Sequence, residues 1–177
     1  TSNKKSTKEV SRSHKIDIAP SGLISVLGGK WTTYRKIAED AINAAISINK
    51  LKKKKCKTQK TKLFGYKKRV EWSDPMHVYG SLKKEVEALG GKTDNISLSD
   101  KIYITNNIIE WSIIHEMALT LEDVLARRTR CIFLDAKESK RIAPKVADKM
   151  AEVLDKDQKW IDEELKNFNK LIKNYIV

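Results

Sequence analysis

The sequence predicts a mainly α protein: a helical bundle in the C-terminal part, preceded by a β-hairpin and one further helix. Three observations carry this. Apolar residues recur at helical spacing almost without interruption from Pro75 to the end. Residues 14–27 instead alternate and are split by the turn-forming Ala19-Pro20-Ser21-Gly22. At 177 residues, 40% hydrophobic and 7% aromatic, the chain can build a real core, yet no apolar run approaches the roughly 20 residues that span a bilayer.

In the hairpin, Ile16 and Ile18 share one face of the first strand, and Leu23 to Leu27 reads as a more buried return strand. A helix follows from about Thr33 to Ile48, with Tyr34, Ile37, Ala38, Ala41, Ile42 and Ala45 as its inward stripe. Two strands and one helix bury too little apolar surface to be stable alone, so residues 1–49 are expected to be the edge of a larger domain. The N-terminus, without a start Met or a signal-peptide core, fits an excised piece of something longer.

Residues 50–73 form the next division. The net charge is +13, but Lys50, Lys52, Lys53, Lys54, Lys55, Lys57, Lys60, Lys62, Lys67, Lys68 and Arg69 are eleven positives with no acid among them, and they leave only +2 for the rest of the chain. The basicity is local, which favours a solvated linker or insertion over a nucleic-acid or anionic-membrane patch. The run has no helical stripe and only Phe64 and Tyr66 for stacking.

Residues 74–177 should form the helical domain. Pro75 opens a segment with Val78, Leu82, Val86 and Leu89 on one face, stopped by Gly90-Gly91. Ile104, Ile108, Trp111 and Ile114 make a second helix begun by Thr105, and Thr120 with Asp123 resembles a capping box. Ile132, Phe133 and Leu134 read as an apolar plug. Asp135 can cap another helix, which Pro144 should break or restart. Asp157 opens the last helix, whose stripe of Trp160, Ile161, Leu165, Phe168, Leu171, Ile172 and Tyr175 is wide enough for a bundle core.

Chemistry concentrates at Gly28-Gly29-Lys30-Trp31-Thr32-Thr33. From the glycines alone, a plain strand-to-helix connection is the preferred reading. The neighbours shift it: Lys30 adds a cation, Thr32 and Thr33 offer capping hydroxyls, and the helix start presents unpaired N–H groups to an anion. Cys56 and Cys131 have no spacing typical of a disulfide or metal site and suit a reducing compartment. His14, His77 and His115 are scattered, so no metal ligands are assigned.

Two blocks in order, Ser11-Arg12-Ser13-His14 with Ser21 through Ala41, and Asp123-Val124-Leu125-Ala126-Arg127-Arg128-Thr129-Arg130 with Phe133-Leu134-Asp135, resemble the FAD-dependent, quinone-linked glycerol-3-phosphate dehydrogenases. That resemblance implies that residues 1–49 are left over from a Rossmann-like FAD domain whose dinucleotide fingerprint does not occur here. It implies hydride transfer from glycerol 3-phosphate to flavin, giving dihydroxyacetone phosphate, with electrons passed to quinone. The parent would sit peripherally at the mitochondrial inner membrane or, alternatively, the bacterial cytoplasmic membrane; this chain by itself would be inactive.

By the same resemblance, Arg12 and Lys30 would bind substrate, and Gly28, Gly29, Lys30, Trp31 and Thr32 would line the FAD. No residue is assigned a catalytic role. Arg127, Arg128 and Arg130 are read as structural, complementing a helix end or pairing with carboxylates. Two alternatives remain open: an oxidase passing the electrons to oxygen, and a basic helical adaptor for nucleic acid or an anionic membrane. Nucleic acid is the less expected partner.

Overall fold

A computed structural model describes residues 13–176. They divide into two compact units that meet in sequence at Leu63 and Phe64. The architecture is the mainly α one expected, with a single two-stranded antiparallel sheet among the described residues.

In the first unit, β1 (His14–Ile18) pairs with β2 (Ile24–Gly28) in a register that sets His14 opposite Gly28 and Ile18 opposite Ile24. The turn closes where the Gly22 N–H donates to the Ala19 carbonyl at 2.9 Å. A short 3-10 turn, Trp31–Thr33, then leads into α1 (Tyr34–Ile48), which packs on both strands. The return strand is not the more buried one: Leu23 is 65% exposed and Leu27 54%. Nor is the stripe of α1 covered, since none of its residues is buried and Ile42 is 60% exposed. Two strands have area for only one side of a helix, which leaves the remaining apolar groups in water.

From Leu51 to Ser73 the backbone forms no helix or strand. In the second unit the Asp74 carboxylate accepts the Met76 N–H at 2.9 Å and pairs with Lys83 at 2.6 Å. The segment expected as one helix from Pro75 is two pieces, a 3-10 stretch over Pro75–Leu82 and α2 (Lys83–Glu87). Gly80 breaks the helical path inside the first of these pieces. Its φ of +56° suits glycine, and a Cβ there would lie 2.0 Å from the Gly65 carbonyl oxygen. Beyond the break the faces no longer align, so Val78 is 70% exposed while Val86 is fully buried.

α3 (Asn106–Ile114) starts where expected, with Thr105 Oγ1 accepting the Ile108 N–H at 3.3 Å. The Thr120–Asp123 box forms reciprocally: each backbone N–H donates to the other side chain at 3.1 Å. The turn it opens, Asp123–Arg128, is wound as a π-helix, and the Thr129 N–H reaches back five residues to the Val124 carbonyl. After the left-handed Arg130 comes α4 (Cys131–Leu134). Only Cys131 and Ile132 plug the core; Phe133 and Leu134 face solvent because one helical turn cannot aim four consecutive side chains inward.

α5 (Ala136–Leu154), capped by Asp135, runs straight through Pro144. Pro144 lies on the exposed side, flanked by buried Ile142, Ala143, Val146 and Ala147, so the Lys140 carbonyl that loses its donor can turn to water. α6 (Gln158–Ile172), capped by Asp157, packs on α5. Ile104, Ile109, Leu121, Leu125, Met150, Phe168 and Ile172 meet in one core that α3, α5 and α6 enclose.

One buried carboxylate pins loop 97–102 to α5. Glu138 accepts the Ser99 hydroxyl and the Arg141 guanidinium, the latter at 2.9 Å from Nε, while Ser99 Oγ accepts the N–H groups of Lys101 and Ile102. Arg141 first, then Ser99, holds the Glu138 pKa down at about 2 against an ordinary 4.5. A depressed folded pKa means the stabilisation is present above pH 4.5 and is lost as the pH falls toward 2. Glu138→Gln should therefore melt at a lower temperature than the parent above pH 4.5, with the gap closing between pH 4.5 and 2 in a series of thermal melts. A gap independent of pH would show that the carboxylate charge does not matter.

Candidate functional site

The glycine-rich segment follows directly on β2, and its backbone is set by two left-handed residues, Gly28 at φ +73° and Gly29 at +86°. A side chain would be strained at either position. A Cβ on Gly28 would stand 2.9 Å from the Ser13 carbonyl oxygen, and one on Gly29 would stand 2.5 Å from Ile37 Cδ1 of α1. Strand pairing and close packing therefore define the backbone of this segment. Its side chains are another matter: Trp31 is 86% exposed, and Lys30 and Thr32 also face solvent.

Of the two threonines expected as caps, Thr33 serves. Its Oγ1 accepts the Lys30 N–H at 3.1 Å and donates to the Lys30 carbonyl at 2.9 Å. The backbone N–H groups of Trp31 and Thr32, at the start of the helical turn, make no hydrogen bond among the described residues. No carboxylate pairs with the Lys30 ammonium among them either. The Trp31 ring stacks on Tyr34 at 5.6 Å between centroids. One short stretch thus carries an unpaired cation, two free N–H donors and an aromatic plate, a set that suits an anionic or planar group.

A polar clasp not foreseen in the sequence holds this turn to the helix. His14 Nε2 lies 3.0 Å from Asp40 Oδ2, while Asp40 Oδ1 pairs with Lys36 at 2.6 Å. Lys36 first, and His14 after it, keeps the Asp40 carboxyl below its ordinary range. His14 sits opposite Gly28 across the ribbon, and its Cβ is 3.4 Å from the place a Gly29 side chain would occupy. The clasp spans 26 residues, so only the strand register, not local spacing, could have exposed it.

Arg12, expected to face the substrate, lies outside the described residues. In the second unit Arg127 pairs with Glu122 at 2.6 Å and Asp123 at 2.9 Å, and Arg128 Nε donates to the Glu116 carbonyl at 2.8 Å. The Arg130 guanidinium lies 5.7 Å from the Phe133 ring centroid. His115 stacks on Trp111 at 4.0 Å, and His77 Nδ1 meets the Asp74 carbonyl at 2.8 Å. Among the described residues no three His, Cys, Asp or Glu side chains gather as metal ligands.

Residues 24–161 match the family model described as the C-terminal domain of alpha-glycerophosphate oxidase. The chain belongs to this family. The matched stretch takes in the glycine turn, Lys30, Asp40 and the π-wound turn with its arginines. Similar proteins include the mitochondrial glycerol-3-phosphate dehydrogenase of Bos taurus, 31% identical over 94% of this chain and 26% of the relative. The probable mitochondrial glycerol-3-phosphate dehydrogenase of Dictyostelium discoideum is 32% identical over 98% of this chain and 30% of its own length. Glycerol-3-phosphate dehydrogenase 1 of Mycobacterium bovis is 36% identical over 70% of this chain and 26% of its own. The chain of this alpha-glycerophosphate-oxidase family member therefore spans between a quarter and a third of the relatives it matches.

Gly29→Ala should destabilise the first unit by about 2 kcal/mol or more, through backbone strain and the collision with Ile37. Amide hydrogen exchange of β1 and β2 reads this directly. Adding Ile37→Ala should recover part of the loss by removing the collision, but not the share due to φ. Unchanged protection in Gly29→Ala would show that the turn can relax to another backbone path.

Proposed function

We propose that this chain is the C-terminal part of an FAD-dependent sn-glycerol-3-phosphate dehydrogenase. In that enzyme FAD, when bound, accepts the hydride that leaves the substrate's secondary carbinol carbon. The observation that carries the reading is the Gly28–Thr32 stretch, where a rigid backbone bare of side chains adjoins a cation and two unsatisfied N–H donors. The family membership and the glycerol-3-phosphate dehydrogenase names of its relatives support it.

These residues fit an anionic flavin or a phosphorylated substrate. Gly28 and Gly29 let a planar group lie against the main chain, Trp31 and Thr32 donate backbone N–H groups, and Lys30 neutralises charge on the phosphate or on the reduced cofactor. Arg12 would fork the substrate phosphate beside it. The His14–Asp40–Lys36 clasp holds the strand end and the helix start in fixed relation, so that the donors stay aimed. Lys30, Trp31 and Thr32 lie open to solvent, so the remaining walls of such a site would come from the rest of a longer protein.

On this reading the parent acts in mitochondria, peripherally at the inner membrane, and hands its electrons to quinone. Among the described residues no helix is long and apolar enough to cross a membrane. The family's name, that of an oxidase, raises a second acceptor, oxygen. Oxygen consumption with peroxide release, set against quinone reduction, separates the two.

In the full-length parent, Lys30→Ala should lower kcat/KM for glycerol 3-phosphate by on the order of a hundredfold, the loss of a desolvated charge-assisted contact, while Lys30→Arg retains part of it. Steady-state kinetics and flavin absorbance check both. A full-length parent that is colourless and leaves glycerol 3-phosphate untouched would overturn the proposal, as would turnover by the present chain alone.

A further inference from the structure

We infer that residues 50–63 form a docking surface for anionic phospholipid headgroups. This deepens the membrane half of the proposed function and rests on it, while naming the segment and the lipid charge that make the contact. The stretch holds eight lysines and no acid in fourteen residues, and every one of the lysines is exposed. Among the described residues no carboxylate pairs with Lys50, Lys52, Lys53, Lys54, Lys55, Lys57 or Lys60. Their charge has no carboxylate counterpart among the described residues, which leaves it available to an outside one.

The display is fixed rather than strung out. Arg35 of α1 donates to Thr58 Oγ1 at 3.2 Å, and Thr58 in turn meets Cys56 Sγ at 3.0 Å, which ties the middle of the segment to the helix. The Lys60 N–H and the Thr61 hydroxyl both donate to the Lys57 carbonyl, closing a turn. Around that turn Lys55, Lys57, Lys60, Gln59 and Thr61 line a recess of about 530 Å³, which is room for a phosphate headgroup with several donors.

Two exposed aliphatic side chains frame the lysines, Leu51 at 59% and Leu63 at 71%. Cations interleaved with such groups match the boundary between lipid headgroups and acyl chains, where the cations meet phosphate and the leucines leave water. A nucleic-acid strand would instead call for aromatic rings interleaved with the cations, and residues 50–63 contain none, Phe64 and Tyr66 coming only after the last of these lysines. An anionic lipid surface is therefore the partner the chemistry fits.

Co-sedimentation of the whole chain with vesicles tests this, without glycerol 3-phosphate or quinone present. Vesicles containing one third phosphatidylglycerol should bind at least tenfold more tightly than phosphatidylcholine alone, and the difference should vanish near 0.5 M salt, where screening is nearly complete. Replacing Lys54, Lys55, Lys57 and Lys60 together by Gln should weaken the binding on the order of a hundredfold, since each lysine near such a surface strengthens it several-fold. Leu51→Gln with Leu63→Gln should remove the part that survives moderate salt. A bimane label on Cys56 gives a second readout, shifting blue on anionic vesicles only.

Equal binding to both vesicle types overturns the inference, as does tighter binding to a single-stranded RNA homopolymer, which would make the segment a nucleic-acid site. Displacement by millimolar inorganic phosphate would do so as well, by reducing the surface to a small-anion pocket. If the full-length parent oxidises glycerol 3-phosphate while this chain ignores phosphatidylglycerol, the lipid assignment alone falls. If the chain binds the lipid and the parent lacks flavin chemistry, the flavoenzyme reading alone falls.

Discussion

A ribbon of two strands and a single helix has too little inner surface to hide its own apolar side chains, and that shortage governs the first unit. Leu23, Leu27, Tyr34 and Ile42 are left at least half exposed. Burial cannot then fix the angle between hairpin and helix, and polar contacts take over. The contact that crosses is His14 of β1 with the Asp40 carboxylate of α1, which Lys36 of the same helix also pairs with. Each exposed pair contributes little by itself. Together with the tight fit of Gly29 against Ile37 they define one geometry, and that geometry is what the glycine turn needs to present its donors.

The second unit works from the opposite condition. Its core has enough apolar volume that single helices tolerate local faults: a proline inside α5, a glycine break before α2, a π-wound turn after the capping box. Polar groups there serve as fasteners at loop ends. Leu121, first in its helical turn, donates its N–H to Glu164 of α6 at 2.8 Å, so a helix start that would otherwise lack a partner is satisfied by its neighbour.

What could be read in advance follows from the distance over which each feature is decided. Thr105, Thr120 with Asp123, Asp135 and Asp157 were legible as caps because the acceptor and the N–H it serves lie within three residues. Gly80 was not legible as a break, since the need for glycine there comes from the Gly65 carbonyl fifteen residues away. Pro144 reads as a break in the sequence yet lies inside α5 for a related reason: the cost of a proline depends on whether the orphaned carbonyl faces water, which only the packed helix decides. The candidate site divides in the same way. Its glycines, Lys30 and Thr33 were visible in a stretch of six residues, whereas His14 and Asp40 meet only once β1 has found its register.

Charge separates the two regions of interest more by setting than by amount. Lys30 is one exposed ammonium carried on a closely packed backbone turn, next to N–H groups whose directions that turn sets. In the proposed site such a group would discriminate by geometry, because an anion displaced by an ångström loses the donors while it keeps the cation. The lysines of residues 50–63 gain nothing from that kind of precision: they are many, solvated and spread over a turn, and their attraction to a surface is the sum of weak terms that salt erodes together. A spread array is matched by an extended partner whose own charges are mobile, and a fluid sheet of headgroups can rearrange to meet each lysine at no cost to the protein fold. On the two readings proposed here, the same side chain would serve recognition of a single small anion in one place and adhesion in the other.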